Sequence, residues 1–109
     1  MLETSLNLSP NSMAARFQAL SDPLRIKILE LLRTQELCVC DICDRLQVSQ
    51  SKLSFHLKNL KEVALVKSRQ DGRWIYYSLN LSQLKSLEKY LSEYQKTSPL
   101  PAHLCANND

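Results

Sequence analysis

The 109-residue chain contains a single glycine, Gly72. A glycine-rich phosphate cradle is therefore excluded, because such loops need several residues without a Cβ close together. Long apolar runs are missing too. None exceeds four residues, as in Val63–Val66, whereas a membrane-crossing helix needs about 20. No membrane partner is expected. The first ten residues, MLETSLNLSP, hold neither a basic stretch nor an apolar core, so they do not read as a secretory signal. A cytoplasmic location is expected, where thiols stay reduced. No Ser/His/Asp set and no paired acids stand out, so an enzyme is not expected, nor an organic cofactor. Aromatic residues are few, at 6%, and the net charge is only +3. With 44% hydrophobic and 23% charged residues, the chain suits one domain with a modest core.

What is present is concentrated. Of four cysteines, three lie in ELCVCDIC, residues 36–43: Cys38, Cys40 and Cys43. In a reduced compartment such a cluster points to metal or redox chemistry rather than a disulfide framework. Basic charge is concentrated as well. Residues 49–76 carry Lys52, Lys58, Lys61, Lys67, Arg69 and Arg73 against Glu62 and Asp71. That segment is +4 and the remainder −1, which suggests a polyanion partner or a solvated face.

The apolar periodicity predicts mostly helix. Residues 1–10 read as an N-terminal arm, 11–95 as the folded domain and 96–109 as a C-terminal tail. Asn11–Leu20 forms a first helix with Met13, Phe17 and Leu20 on one face. Asp22 caps a second, which starts at Pro23, runs to about Arg33 and turns Leu24, Ile28, Leu31 and Leu32 inward. Cys40–Leu46 is a short third helix. Ser49 caps a fourth, whose Leu53, Leu57 and Leu60 make one inward stripe. Strands over Leu65–Arg69 and Trp74–Leu79 flank Asp71-Gly72, a two-residue hairpin signal. Asn80 opens a fifth helix, with Gln83 in capping-box position and a seam of Leu84, Leu87, Leu91 and Tyr94. The expected fold is mostly α (α+β), in the order α-α-α-α-β-β-α.

Helices three and four, joined by Gln47-Val48, make a helix-turn-helix, and the basic hairpin makes it winged. Opposite the leucine stripe lie Ser51, Phe55 and Lys58, flanked by Ser54 and Lys52, with Gln50 in the same first turns. Short hydrogen-bonding groups and cations suit an edge that enters the major groove. Two roles fit Phe55: a thymine methyl contact, or packing on a neighbouring helix. Lys52, Lys58, Arg69 and Arg73 suit phosphate. His56 lies off this face and suits packing or a hydrogen bond near phosphate rather than metal.

Cys40 and Cys43 lie roughly 60° apart on a helix and can share a ligand, whereas Cys38 would point roughly 200° away from Cys40. All three sulfurs meet one ion only if the chain around Cys38 is not helical, or leaves the helix on binding. Three thiolates form a soft site. Structural zinc prefers four ligands, whereas arsenic(III) or antimony(III) is satisfied by three. A Cys40/Cys43 redox pair is a rival. A thioredoxin-like enzyme is not, since its motif needs a βαβ setting and no strand pattern precedes Glu36.

ELCVCDIC, the VSQSKLSFHLKNL helix and the RQDGRWIYYSL wing together resemble the ArsR/SmtB family of metal-responsive repressors, over about residues 11–94. The CVCDxC run resembles its arsenic-sensing branch. The resemblance implies a winged-helix homodimer on an inverted-repeat operator of double-stranded DNA. The operator would be released when arsenite or antimonite binds Cys38, Cys40 and Cys43. It also implies dimerisation through the first and last helices, in agreement with Phe17 and the Leu84, Leu87, Leu91 and Tyr94 seam. A cadmium- or lead-responsive repressor, or a thiol-redox one, is the alternative. Cadmium- and lead-sensing relatives add cysteines near the N-terminus, and this chain has none there. Zinc-sensing relatives use His and acidic ligands on the last helix, where this chain has no His or Asp. The family often has Ala-Gly before the first wing strand, and here it is Val63-Ala64. Cys105, in the tail, reads as an extra ligand or an idle thiol, and His103 as a solvated residue.

Overall fold

The computed structural model describes residues 9–104. Cys105, weighed above as a further ligand, lies outside the described residues. The order is α1 (Pro10–Ala19), α2 (Pro23–Leu31), β1 (Leu37–Cys38), α3 (Val39–Leu46), α4 (Gln50–Glu62), β2 (Val66–Asp71), β3 (Trp74–Leu79) and α5 (Leu81–Gln95). The winged helix-turn-helix is present, with one element that periodicity did not reveal. Strand β1 has two residues, too few to leave a pattern. It pairs antiparallel with β3 as Leu37↔Tyr77 and Cys38↔Tyr76, giving a sheet in the order β1-β3-β2.

Local chemistry sets most boundaries. The Ser9 hydroxyl accepts from the Ser12 amide at 3.2 Å, and Pro10 takes the first turn of α1. Asp22 accepts from the Leu24 and Arg25 amides at 2.8 and 3.4 Å, with Pro23 behind it. Such caps satisfy amides that the helix leaves open. Gln47 takes a left-handed φ of 55° to end α3, and Ser49 opens α4 by accepting from the Lys52 amide at 3.2 Å.

Helix α4 ends in a Schellman motif. The Leu65 amide donates to the Leu60 carbonyl at 3.0 Å and the Ala64 amide to Lys61 at 2.9 Å. Ala64 occupies the left-handed position at φ 64°, which glycine would adopt without a Cβ penalty.

Two expectations are corrected here. Asp71 pairs with Trp74, so the hairpin loop is Gly72-Arg73, one residue later than expected. Gly72 has φ +63° and Arg73 is not in the positive-φ region, the φ pattern of a type II′ turn. This turn thus needs a positive φ at one position only, and the single glycine supplies it. The capping box at α5 does not form: Asn80 makes no side-chain cap. Its Oδ1 accepts from the Ser82 hydroxyl at 3.0 Å, while Gln83 is buried.

The core joins the inward faces of α2, α3 and α4 to the start of the wing. Ile28, Ile42, Leu53, Leu57, Leu60, Leu65 and Val66 are its fully buried side chains. The α4 stripe is inward as expected. On α1 the inward face is Met13, Arg16 and Ala19, while Phe17 is 37% exposed and meets Tyr90 of α5 at 6.4 Å between ring centroids. The α5 seam divides. Leu87 is buried in this chain's own core and Leu84 packs against it, while Leu91 and Tyr94 are exposed. No helix among the described residues is long and apolar enough to cross a membrane.

Candidate thiol centre and nucleic-acid interface

The sequence around the thiols folds in two halves. Leu37–Cys38 is extended and paired to the wing, and α3 begins at Val39. Cys38 is therefore the N-cap of α3, at φ −79° and ψ 160°, and its backbone is not helical. Its buried Sγ lies 2.8 Å from Sγ of exposed Cys40. The Asp41 carboxylate joins them, so that the three donor atoms lie within 4.8 Å of one another. Cys43, half-buried, stands one helical turn on, beside Cys40 along a shallow cleft with Asp44 and Gln47. All three cysteines are free. The chain thus brings together Cys38 and Cys40, adds Asp41, and holds Cys43 nearby but outside the cluster.

Two of these thiols, Cys38 and Cys43, resist ionisation. The hydrogen bond with Cys40, then burial and the Asp41 charge, hold the Cys38 thiol above its ordinary range. Burial does the same for Cys43. A ligand must therefore displace protons, or carry off the thiol hydrogens itself.

The outward face of α4 carries Gln50, Ser51, Lys52, Ser54, Phe55 and Lys58, all exposed. Phe55 is 60% exposed and touches only its neighbour His56 edge-on among the described ring contacts, at 5.3 Å. Most of its side chain is open to solvent. In the wing, the Arg73 guanidinium lies 5.8 Å from the exposed Trp74 ring.

Arg69 has partners within the chain. Its guanidinium makes a two-pronged pair with Glu36, 2.8 Å from Nε and 2.8 Å from Nη2. It also lies 4.6 Å from the centroid of the Tyr76 ring. Arg69, expected at phosphate, thus also forms an internal fork, with its side chain 54% exposed. That fork holds the Glu36 carboxyl below its ordinary range and ties the thiol segment to the wing.

The family model described as bacterial regulatory protein, arsR family, matches residues 22–68. The arsenical resistance operon repressor of Bacillus subtilis (strain 168) is 41% identical over 73 residues, which are 66% of this chain and 70% of that protein. The chain belongs to the arsR family. Its family is one of DNA-binding regulators, not of enzymes. A cadmium resistance transcriptional regulatory protein CadC homolog of Staphylococcus aureus is 40% identical over 80 residues, covering 72% of this chain and 66% of its own length. Among solved structures, an ArsR-like transcriptional regulator from Rhodococcus sp. RHA1 superposes with a TM-score of 0.72 at 30% identity, over 78% of this chain and 80% of that one. The family is thus fixed while its members differ in the ion for which they are named.

Sequence reasoning missed three things at the site of this arsR-family chain: β1, the Glu36–Arg69 fork and the Asp41 carboxylate. Only Asp41 had a signal, since it sits between two of the cysteines. Glu36 and Arg69 are 33 positions apart, and no local pattern pairs them.

Proposed function

We propose that this chain is an arsenite- and antimonite-responsive transcriptional repressor acting in the cytoplasm. As a homodimer it binds an inverted-repeat operator and releases it when Cys38, Cys40 and Cys43 take one As(III) or Sb(III) ion. One observation carries the reading. Cys38 leaves the helix at the point where its sulfur can turn back onto Cys40, which the three-thiol site requires. Cys43 closes the set by a small rearrangement of the first turn of α3.

The donor chemistry favours a trivalent hydroxide. Three neutral thiols and As(OH)3 give As(SR)3 and three waters, with no net proton released. A divalent cation must instead expel a proton from each thiol it binds, against pKa values held high at Cys38 and Cys43. A second reading has its own support. Asp41 beside Cys38 and Cys40 adds an anionic carboxylate donor, which suits a divalent cation such as cadmium or zinc.

Release follows from how the segment is tied. Cys38 pairs with Tyr76 of the wing, and Glu36 holds Arg69 of the neighbouring wing strand. Closure of the thiols strains β1 on one side and the α3–α4 turn on the other, so reader helix and wing lose their relative setting. A hundredfold loss of operator affinity needs the ion to favour the non-binding state by about 2.7 kcal/mol. Dimerisation rests on α1 and α5. Phe17, Leu91 and Tyr94 are the exposed members of the expected interface, and Leu84 and Leu87 support them from inside. The test is release of reduced protein from labelled DNA upstream of its own gene, with arsenite, antimonite, cadmium, zinc and peroxide added separately. Release by arsenite or antimonite at the lowest concentration supports this reading. Release by cadmium or zinc alone transfers the site to divalent ions, and release by peroxide alone makes it a redox pair.

A further inference from the structure

His56 is the one buried histidine of the described chain, 7% exposed, and the thiol switch does not use it. Its Nδ1 accepts from Arg25 Nε at 3.0 Å. A guanidinium only donates, so Nδ1 must carry a lone pair and the ring proton sits on Nε2. Among the described residues nothing accepts from that Nε2–H. Nε2 is not itself sealed from solvent, so its N–H is an open donor that a ligand atom can use.

The space beside it has the chemistry of an anion site. A cavity of about 540 Å³ opens between the start of α2, the end of α3 and the first turns of α4. His56 lines it, and Lys27, Arg45 and Lys52 stand around it. All three cations are exposed, and none forms an ion pair among the described residues. Asp22 also lines the cavity, but its Oδ1 already accepts from the Leu24 and Arg25 amides. Lys52 belongs to the same first turns as Ser51 and Ser54, so the cavity borders the face of α4 that meets DNA.

We propose that this cavity grips a backbone phosphate of the bound duplex, with His56 Nε2–H donating to it and Lys27, Arg45 and Lys52 supplying the counter-charge. Arg25 is the positioning residue: it fixes the tautomer that leaves Nε2–H facing the phosphate. The inference rests on the family's DNA binding and adds the groups that set the protein's register on the backbone. Phosphate contacts do this without reading sequence, so their loss weakens every duplex alike.

The experiment is a binding titration of the full chain on two duplexes, the region upstream of its own gene and a scrambled sequence of equal length, at several salt concentrations. Asparagine places a carbonyl near the Nδ1 position and keeps the Arg25 bond. Glutamine places an amide N–H near the Nε2 position. His56→Asn is expected to weaken both duplexes about tenfold, with an unchanged salt slope because a neutral donor releases no counterion. His56→Gln is expected to stay within about threefold of wild type, as a glutamine amide supplies the same kind of donor. Arg45→Ala is expected to weaken both and to lower the slope by about one. Three results would overturn the proposal: a His56→Asn variant equal to wild type, one weakened only on the upstream duplex, or both histidine variants equally weak with a lowered melting midpoint. Failure of the wild type on both duplexes would instead reject DNA binding itself.

Discussion

Helices α3 and α4 are joined by three residues, Gln47 to Ser49, yet they begin in opposite ways. The start of α4 is held by its own sequence, with the Ser49 hydroxyl on the Lys52 amide. The start of α3 has Cys38 at the same position, in the same extended conformation, and no side-chain cap. A good cap stabilises a helix by about 1 kcal/mol. The reader helix therefore keeps its geometry by local means, while the sensor helix relies on β1, the thiol pair and the Glu36–Arg69 fork. The difference places the end of the helix pair that its own sequence holds least at the thiols proposed to bind the ligand.

The largest effect is expected from making the two helices alike. Cys38→Ser removes one sulfur and puts a capping hydroxyl at the start of α3. Operator binding should persist and arsenite release should vanish in the same titration; loss of binding would make the thiols structural. Next comes pH. With Cys38 and Cys43 held protonated, cadmium affinity should rise steeply with pH through the neutral range, by up to about tenfold per pH unit for each proton expelled. Arsenite affinity should change little there, because no net proton leaves. Competitive titrations at three pH values separate the two ions, and parallel pH slopes would contradict the hydroxide-exchange chemistry.

Smaller effects sharpen the contrast from the α4 side. Ser49→Ala should cost about 1 kcal/mol, seen as a lower urea midpoint, with weakened DNA binding and an intact arsenite site. At the other end of α4, Ala64→Gly should stabilise by about 1 kcal/mol, since the Schellman bonds stay and the left-handed strain goes. A midpoint that falls instead would mean that the Ala64 methyl is needed for packing.

The contrast also divides what was legible in the sequence. The α4 cap, the leucine stripe, the Asp22-Pro23 start of α2 and the Gly72 hairpin are local signals, and the chain folds by them. The demand that Cys38 lie outside the helix was legible too, because the Cys38–Cys40 spacing cannot converge otherwise. The supports of α3 were not. Strand β1 exists only because β3 pairs with it, and Glu36 finds Arg69 across 33 positions. The same holds for Arg25 and His56, 31 positions apart. The seam on α5 looked uniform in sequence, yet Leu87 turns into the core while Leu91 and Tyr94 do not. Helical spacing gives one face, and tertiary packing decides how much of it is used within the chain. Gln83 was misread for a related reason: its burial outweighed the local capping pattern.

The most direct test of the three-thiol site is a count of sulfur atoms bound to arsenic in the reduced protein, by X-ray absorption, in the wild type and in Cys43→Ser. Three sulfurs per arsenic in the wild type and two in the variant are expected. Two sulfurs in both would leave Cys43 outside the site and contradict the account.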